Sequence, residues 1–530
     1  MTSYFSLLYM GLFLPAAVAI YGLSPQKHRW KLLLAASYAF FWSFSGKLLV
    51  YLLLTTFSVH YFGLWLDLIW TQQKSALAEA EKSEKKAIRA RFQRSRRQIL
   101  LLAVVLQIGT LIVLKYTAFF GGNLNTLLEA MNLAPRLAIP KYVLPIGISF
   151  YTLQAVSYLT DVYRGSIPAD RNLGRLALFM AFFPQIVEGP ICRYQQTAQQ
   201  LWESPGLRWQ NLTMGLQRIT FGVMKKVVIA DRLNLLIKTV FADYASYDGT
   251  VIVLAMVCYT CQLYMEFSGT MDVVIGTAEI FGITMPENFR QPFFSKTISE
   301  FWSRWHITLG TWFRDYVFYP LTMCKPLKRL TVTARKHLGN HFGPLLAGSI
   351  ALLAVWLCNG LWHGAGWQYI FFGLYHFSLL LIGNILEPCT LWGCRVLHIN
   401  RSSRGYRLMQ ILRTVVLVNI GELFFRAEGL KAGLSMFSRM FTDFSAATLT
   451  NGSLLELGLD GKDYAIVLAA VAIVFLVGLL RERGIPVRQK IAALPLPVRW
   501  AVYYGLIFFI LIFGAYGAGY VPVDPIYANF

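Results

Sequence analysis

Long apolar runs separated by short basic intervals recur along the whole chain. Runs near the 17–25 residues that carry a helix across a bilayer lie at 4–22, 31–43 joined to 48–70, 98–120, 142–162, 174–191, 249–268, 344–361, 367–386, 411–426, 463–480 and 500–520. They are continuous and do not alternate with period two, which excludes an outer-membrane β-barrel. The pattern predicts an all-α polytopic membrane protein with about ten to twelve transmembrane helices. The first run has no basic stretch before it, and Ser24-Pro25-Gln26 is not a small-x-small cleavage site, so 4–22 is expected to remain as a span.

One interval breaks the pattern. Residues 284–320, TMPENFRQPFFSKTISEFWSRWHITLGTWFRDYVFYP, are too polar for a simple crossing yet dense in aromatics. Trp302, Trp305, Trp312 and Tyr316 recur with helical spacing beside Arg304, Arg314 and Asp315. The mixture predicts re-entrant or interfacial helices, since charged or irregular backbone at membrane depth is tolerated where it lines a cavity.

Composition agrees with the pattern: 56% of residues are hydrophobic and 14% charged, against about 25% charged in soluble domains. The formal charge of +22 would suggest nucleic acid, but its distribution argues against it. Residues 74–97 hold nine Lys/Arg against three Glu, and further basic segments lie at 325–336, 395–413 and 481–490. Each falls between apolar runs, as cytoplasmic loops do. The 74–97 segment is therefore expected inside the cell, and the N-terminus outside.

Two histidines stand out. His363, in NGLWHGAGWQYIFFGLYHF, sits inside an otherwise lipid-soluble stretch, and His306 sits in RWHITLGTWFRDY. An ionisable group at membrane depth is a functional candidate by default. A histidine bonded to a neighbouring helix is the bland alternative, and the residues alone leave both open. Gly360, Gly364 and Ala365 are expected to leave room beside His363. No metal site is expected. His337 and His341 lack an acidic third ligand, and Cys258-x-x-Cys261 lies in an apolar run. There is no P-loop or nucleophile elbow, which argues against an ATP-driven pump.

Several stretches together resemble the membrane-bound O-acyltransferase family. They are SEFWSRWHITLGTWFRDYVFYPL and NGLWHGAGWQYIFFGLYH, preceded by LPIGISFYTLQAVSYLTDVYRG, FFPQIVEGPICRY, YMEFSGTMDVVIG and ENFRQPF, and followed by FFRAEG. Within the family they are most similar to the alginate O-acetyltransferase and teichoic-acid D-alanyl transferase branch. The chain departs from the alginate-type pattern at Glu188, Glu266 and Thr270-Met271.

The resemblance implies a ring of tilted helices around a tunnel, in one polytopic domain. Helices over 1–139 would precede a catalytic core over 140–430, with further helices and a tail over 431–530. It also implies that His363 is the catalytic histidine and His306 the second active-site one. Asn359, four residues before His363, would hold the imidazole or donate to the thioester carbonyl. Trp305 and Arg314 are expected to line the cavity, Trp362 and Trp367 to form pocket wall, and Glu188, Arg193, Arg304 and Asp315 are candidates for the tunnel mouths.

No bound cofactor is expected. The implied donor is an acyl thioester, on coenzyme A or an acyl-carrier protein, offered from the cytoplasm. The acceptor is an extracytoplasmic polysaccharide or cell-wall polymer, or an SGNH-type acyltransferase partner that relays the acyl group. The tail VPVDPIYANF is a candidate docking element for that partner. A transporter or flippase, or a non-catalytic scaffold of a polysaccharide-export complex, is the alternative reading.

Overall fold

The computed structural model describes residues 3–133, 136–516, 520, 522 and 523, and among them the regular structure is helical throughout. Among the described residues, eight helical runs are long and apolar enough to cross a membrane: Gln26–Glu79, Lys85–Ala130, Gly249–Ile280, Lys325–His363, Trp367–Val396, Arg404–Arg426, Gly461–Glu482 and Leu496–Phe513. The first of these breaks at Gly46, whose φ of 51° closes one helix and turns the chain into the next.

Three of the apolar runs fall outside this set. Leu8–Leu23 is an apolar helix shorter than the others. Ile148–Arg164 has fourteen of its seventeen residues buried and acts as a core helix. The run at 174–191 is helical only over Leu173–Ala181 and then proceeds through buried turns. A hydropathy pattern cannot distinguish burial in protein from burial in lipid, since both remove apolar surface from water.

The chain groups into two compact units, one of residues 1–216 and 274–286, the other of residues 217–273 and 287–530. In the first, Leu49–Glu79, Lys85–Ala130 and Ile148–Arg164 pack against one another. Arg96 lies 3.3 Å above the Trp70 ring, and Gln107 donates to Ser58 Oγ at 2.8 Å. The basic segment 74–97 is not a loop. Both long helices run on through it, leaving only a short turn at 80–84 between them. Its Ala, Glu, Lys and Arg are strong helix formers, so the helices outlast their apolar stretches.

The motifs LPIG and FFPQIVEGP meet in this unit. A Cβ on Gly147, where φ is 72°, would fall 1.9 Å from the carbonyl oxygen of Ile186. Only glycine permits that approach.

The second unit carries the long helices from Lys325 onward and the larger part of Gly249–Ile280. Glycines set the contact between Lys325–His363 and Trp367–Val396. A Cβ on Gly360 would lie 2.3 Å from Tyr369 O, and one on Gly373 would lie 2.3 Å from Trp356 O. At Gly360 the space is taken by the backbone of the neighbouring helix, which these glycines admit. Buried charges also tie this unit together. Asp272 accepts from Arg218 Nε at 2.9 Å and from Lys225 Nζ at 2.6 Å, and Arg218 grips Glu287 with both terminal nitrogens at 2.8 and 2.6 Å.

Candidate active site

The interval 284–320 folds as a series of short pieces. Thr297 caps the helix Ile298–Arg304 by accepting from Glu300 N at 3.1 Å, and the Glu300 carboxylate accepts from Lys296 N at 2.9 Å. The chain then extends at Trp305, turns at His306, and resumes as Ile307–Phe313, followed by a wide turn over Arg314–Phe318. The turn over 287–293 clasps this break through backbone bonds. Arg290 N donates to Arg304 O at 2.9 Å and Ile307 N to Asn288 O at 3.0 Å, while Phe289 and Trp305 pair as a single antiparallel bridge.

His306 occupies the left-handed region, with φ 46° and ψ 50°. A non-glycine residue held there costs roughly 1–3 kcal/mol, and such residues cluster at functional sites. Its side chain is buried, and burial pushes the imidazole below its ordinary pKa, so it is neutral at working pH.

His363 is the last residue of Lys325–His363, which ends because Gly364 turns to extended backbone. Asn359 lies one turn earlier on the same face. Its Oδ1 is buried without a hydrogen-bond partner among the described residues. His363 and His306 line the same cavity of about 370 Å³, together with Asn359, Trp302, Trp305 and Arg314. Trp362 stands between the two imidazoles, with its ring centroid 5.7 Å from His306 and 5.0 Å from His363. Phe425, from FFRAEG, meets the His363 ring edge to face at 5.1 Å.

The other candidates fall elsewhere. Arg304 is engaged by Glu300 at 2.7 Å and Glu482 at 2.8 Å, and it does not line the cavity. Asp315 pairs with the neighbouring Arg314 at 3.1 Å. Trp367 is exposed at the start of its helix. Glu188 is buried in the turns of the first unit, and Arg193 caps Tyr194–Glu203 there, its backbone N–H donating to the Gln196 side-chain oxygen at 2.9 Å. The tail at 521–530 lies outside the described residues except for Pro522 and Val523. Val523 N donates to Asp231 at 2.8 Å, and its carbonyl accepts from Lys226 at 2.7 Å.

Three features went unassigned in the sequence. His376 accepts the Trp302 indole N–H, Asn288 sits beside His306, and Asp272 anchors the buried cations. Each is a polar side chain in or beside an apolar run, which is the signal that could have found it.

A model described as the MBOAT, membrane-bound O-acyltransferase, family matches residues 166–335, a stretch that includes His306. The probable alginate O-acetylase AlgI of Azotobacter vinelandii is 32% identical over 87% of this chain and 83% of its own length. The peptidoglycan O-acetyltransferase of Helicobacter pylori is 30% identical over 64% of each chain. The teichoic acid D-alanyltransferase of Bacillus subtilis is 32% identical over 46% of this chain and 59% of its own.

Proposed function

The chain belongs to the membrane-bound O-acyltransferase family, and from that premise we propose that it moves an acetyl group from a cytoplasmic thioester to an extracytoplasmic hydroxyl. The acceptor hydroxyl belongs to a polysaccharide or cell-wall polymer, or to a partner protein that passes the group on. Acetyl is favoured over D-alanyl because relatives named for O-acetylation align over more of the chain than those named for D-alanylation.

The observation that carries the reading is the pair of histidines. They come from segments 57 positions apart, 363 less 306, and face one cavity across the edge of Trp362. His363 is the general base. Its imidazole takes the proton of the acceptor hydroxyl as the oxygen attacks the thioester carbonyl. The tetrahedral oxyanion collapses, the carbon–sulfur bond breaks, and the departing thiolate takes the proton back from the imidazolium. An ester and a free thiol result, and the base is restored. Donor groups near the carbonyl oxygen stabilise the oxyanion, and the Asn359 amide is the candidate in this cavity.

Purified protein given acetyl-coenzyme A, or an acetylated carrier protein, and polymer fragments should release free thiol in step with ester formation. Translocation of an intact polymer without thiol release would favour the transporter reading. Neither activity, in a protein still required for modification in cells, would favour a scaffold.

A further inference from the structure

The turn over 287–293 that clasps His306 contains a side chain with no role in the reaction above. Asn288 is fully buried. Its Oδ1 accepts from Thr308 N at 3.1 Å and from Thr308 Oγ1 at 2.9 Å, and the same oxygen faces His306 Nδ1 at 3.3 Å. Its Nδ2 points the other way, to Met271 Sδ at 3.4 Å. The neighbouring Glu287 is held by Arg218, so the turn is anchored on both sides of the amide.

These contacts decide a proton position that the heavy atoms alone leave open. A backbone N–H can only donate, so the Asn288 atom facing Thr308 N has to be the oxygen. A flipped amide would set an NH₂ against that N–H. With an oxygen there, His306 Nδ1 makes a bond only if it carries the hydrogen. A neutral imidazole has one N–H, which leaves the lone pair on Nε2. Burial keeps the ring neutral, so the second proton is not in play at rest.

We propose that Asn288 is the positioning residue that fixes the tautomer of His306, holding its proton on Nδ1 and leaving Nε2 as the accepting nitrogen. The catalytic consequence rests on the acyl-transfer reading. His306 Nε2 can then only accept and cannot donate to the tetrahedral oxyanion. The single proton of the acceptor hydroxyl goes to His363, so Nε2 takes its hydrogen bond from another donor of the bound substrate, and oxyanion stabilisation falls to other groups.

Nitrogen-15 NMR of histidine-labelled full-length protein reads the tautomer directly, with His306→Gln identifying the His306 signals among the eight histidines. The wild type should show a protonated Nδ1 and an unprotonated Nε2. Asn288→Leu should lose that preference and reduce kcat on the order of 10²-fold, with little change in KM. Thr308→Val, which keeps the Asn288 oxygen and the backbone donor, should retain the tautomer. A wild-type proton on Nε2 would overturn the proposal, and so would an unaltered tautomer in Asn288→Leu. Should the leucine variant fail to fold, the wild-type spectrum still decides. The expected tautomer in a protein that releases no thiol would sink the transfer reading and leave this assignment standing.

Discussion

Trp302 donates its indole N–H to Nδ1 of His376 across 3.3 Å, and the two rings meet edge to face at 4.8 Å. Trp356 stacks on the other side of the His376 ring at 5.4 Å. Trp302 and Trp356 both line the cavity that holds His306 and His363, so His376 sets part of its wall from behind. His376→Phe keeps a ring in place but leaves the half-buried Trp302 indole N–H without its acceptor, at a cost of about 1 kcal/mol. The expected result is roughly a tenfold loss in kcat/KM for thiol release. Trp302→Phe should lose a similar amount, and the double variant little more than either single. Fully additive losses would mean the bond does not shape the cavity.

His363→Ala and His363→Gln should both accumulate in the membrane and lose on the order of 10²–10⁴-fold in transfer. Glutamine can hydrogen-bond but cannot carry the proton. Near-normal thiol release by the glutamine variant would reduce His363 to a structural hydrogen-bonder and move the base to His306.

Gly360→Ala and Gly373→Ala each place a methyl 2.3 Å from a backbone oxygen of the facing helix. The helices must part, at about 1–3 kcal/mol, and His363 moves with its helix end. Thermal unfolding in detergent should show a lower midpoint for both. Gly348→Ala, where a Cβ meets nothing within 4 Å, should leave the midpoint unchanged.

Within the ion cluster, the depth of each carboxylate ranks the damage. Asp272 has 10% of its side chain exposed and serves both Arg218 and Lys225, whereas Glu287 is 42% exposed. Asp272→Asn leaves two buried cations short of a counter-charge, a loss of about 3–5 kcal/mol by the cost of breaking buried pairs. Glu287→Gln should cost about 1 kcal/mol or less, because solvent screens that pair. Unfolding midpoints compared across the two variants check the order, and equal effects would contradict it.

The basic run at 74–97, carrying a net charge of +6 from nine Lys/Arg and three Glu, should face the cytoplasm. A cysteine placed at residue 85 should resist a membrane-impermeant thiol reagent in intact cells and react after permeabilisation. Labelling from outside would invert the orientation.

The helical membrane class was determined by the sequence alone, because an apolar run of about twenty residues has few stable alternatives in lipid. The two histidines were also legible, since an ionisable side chain among apolar neighbours is costly and therefore conspicuous. Tertiary structure decided what periodicity does not encode. Whether 142–162 and 174–191 meet lipid or protein depends on what packs against them, and both apolar surroundings select the same side chains. Gly360, one turn from His363, looked like open space and proves to be where the facing helix approaches, a difference of partner and not of residue. Arg304 looked as available as Arg314 until Glu300 and Glu482 were brought beside it. Asn288 drew no notice eighteen positions from His306, because the fold, and not the spacing, carries its oxygen to the imidazole.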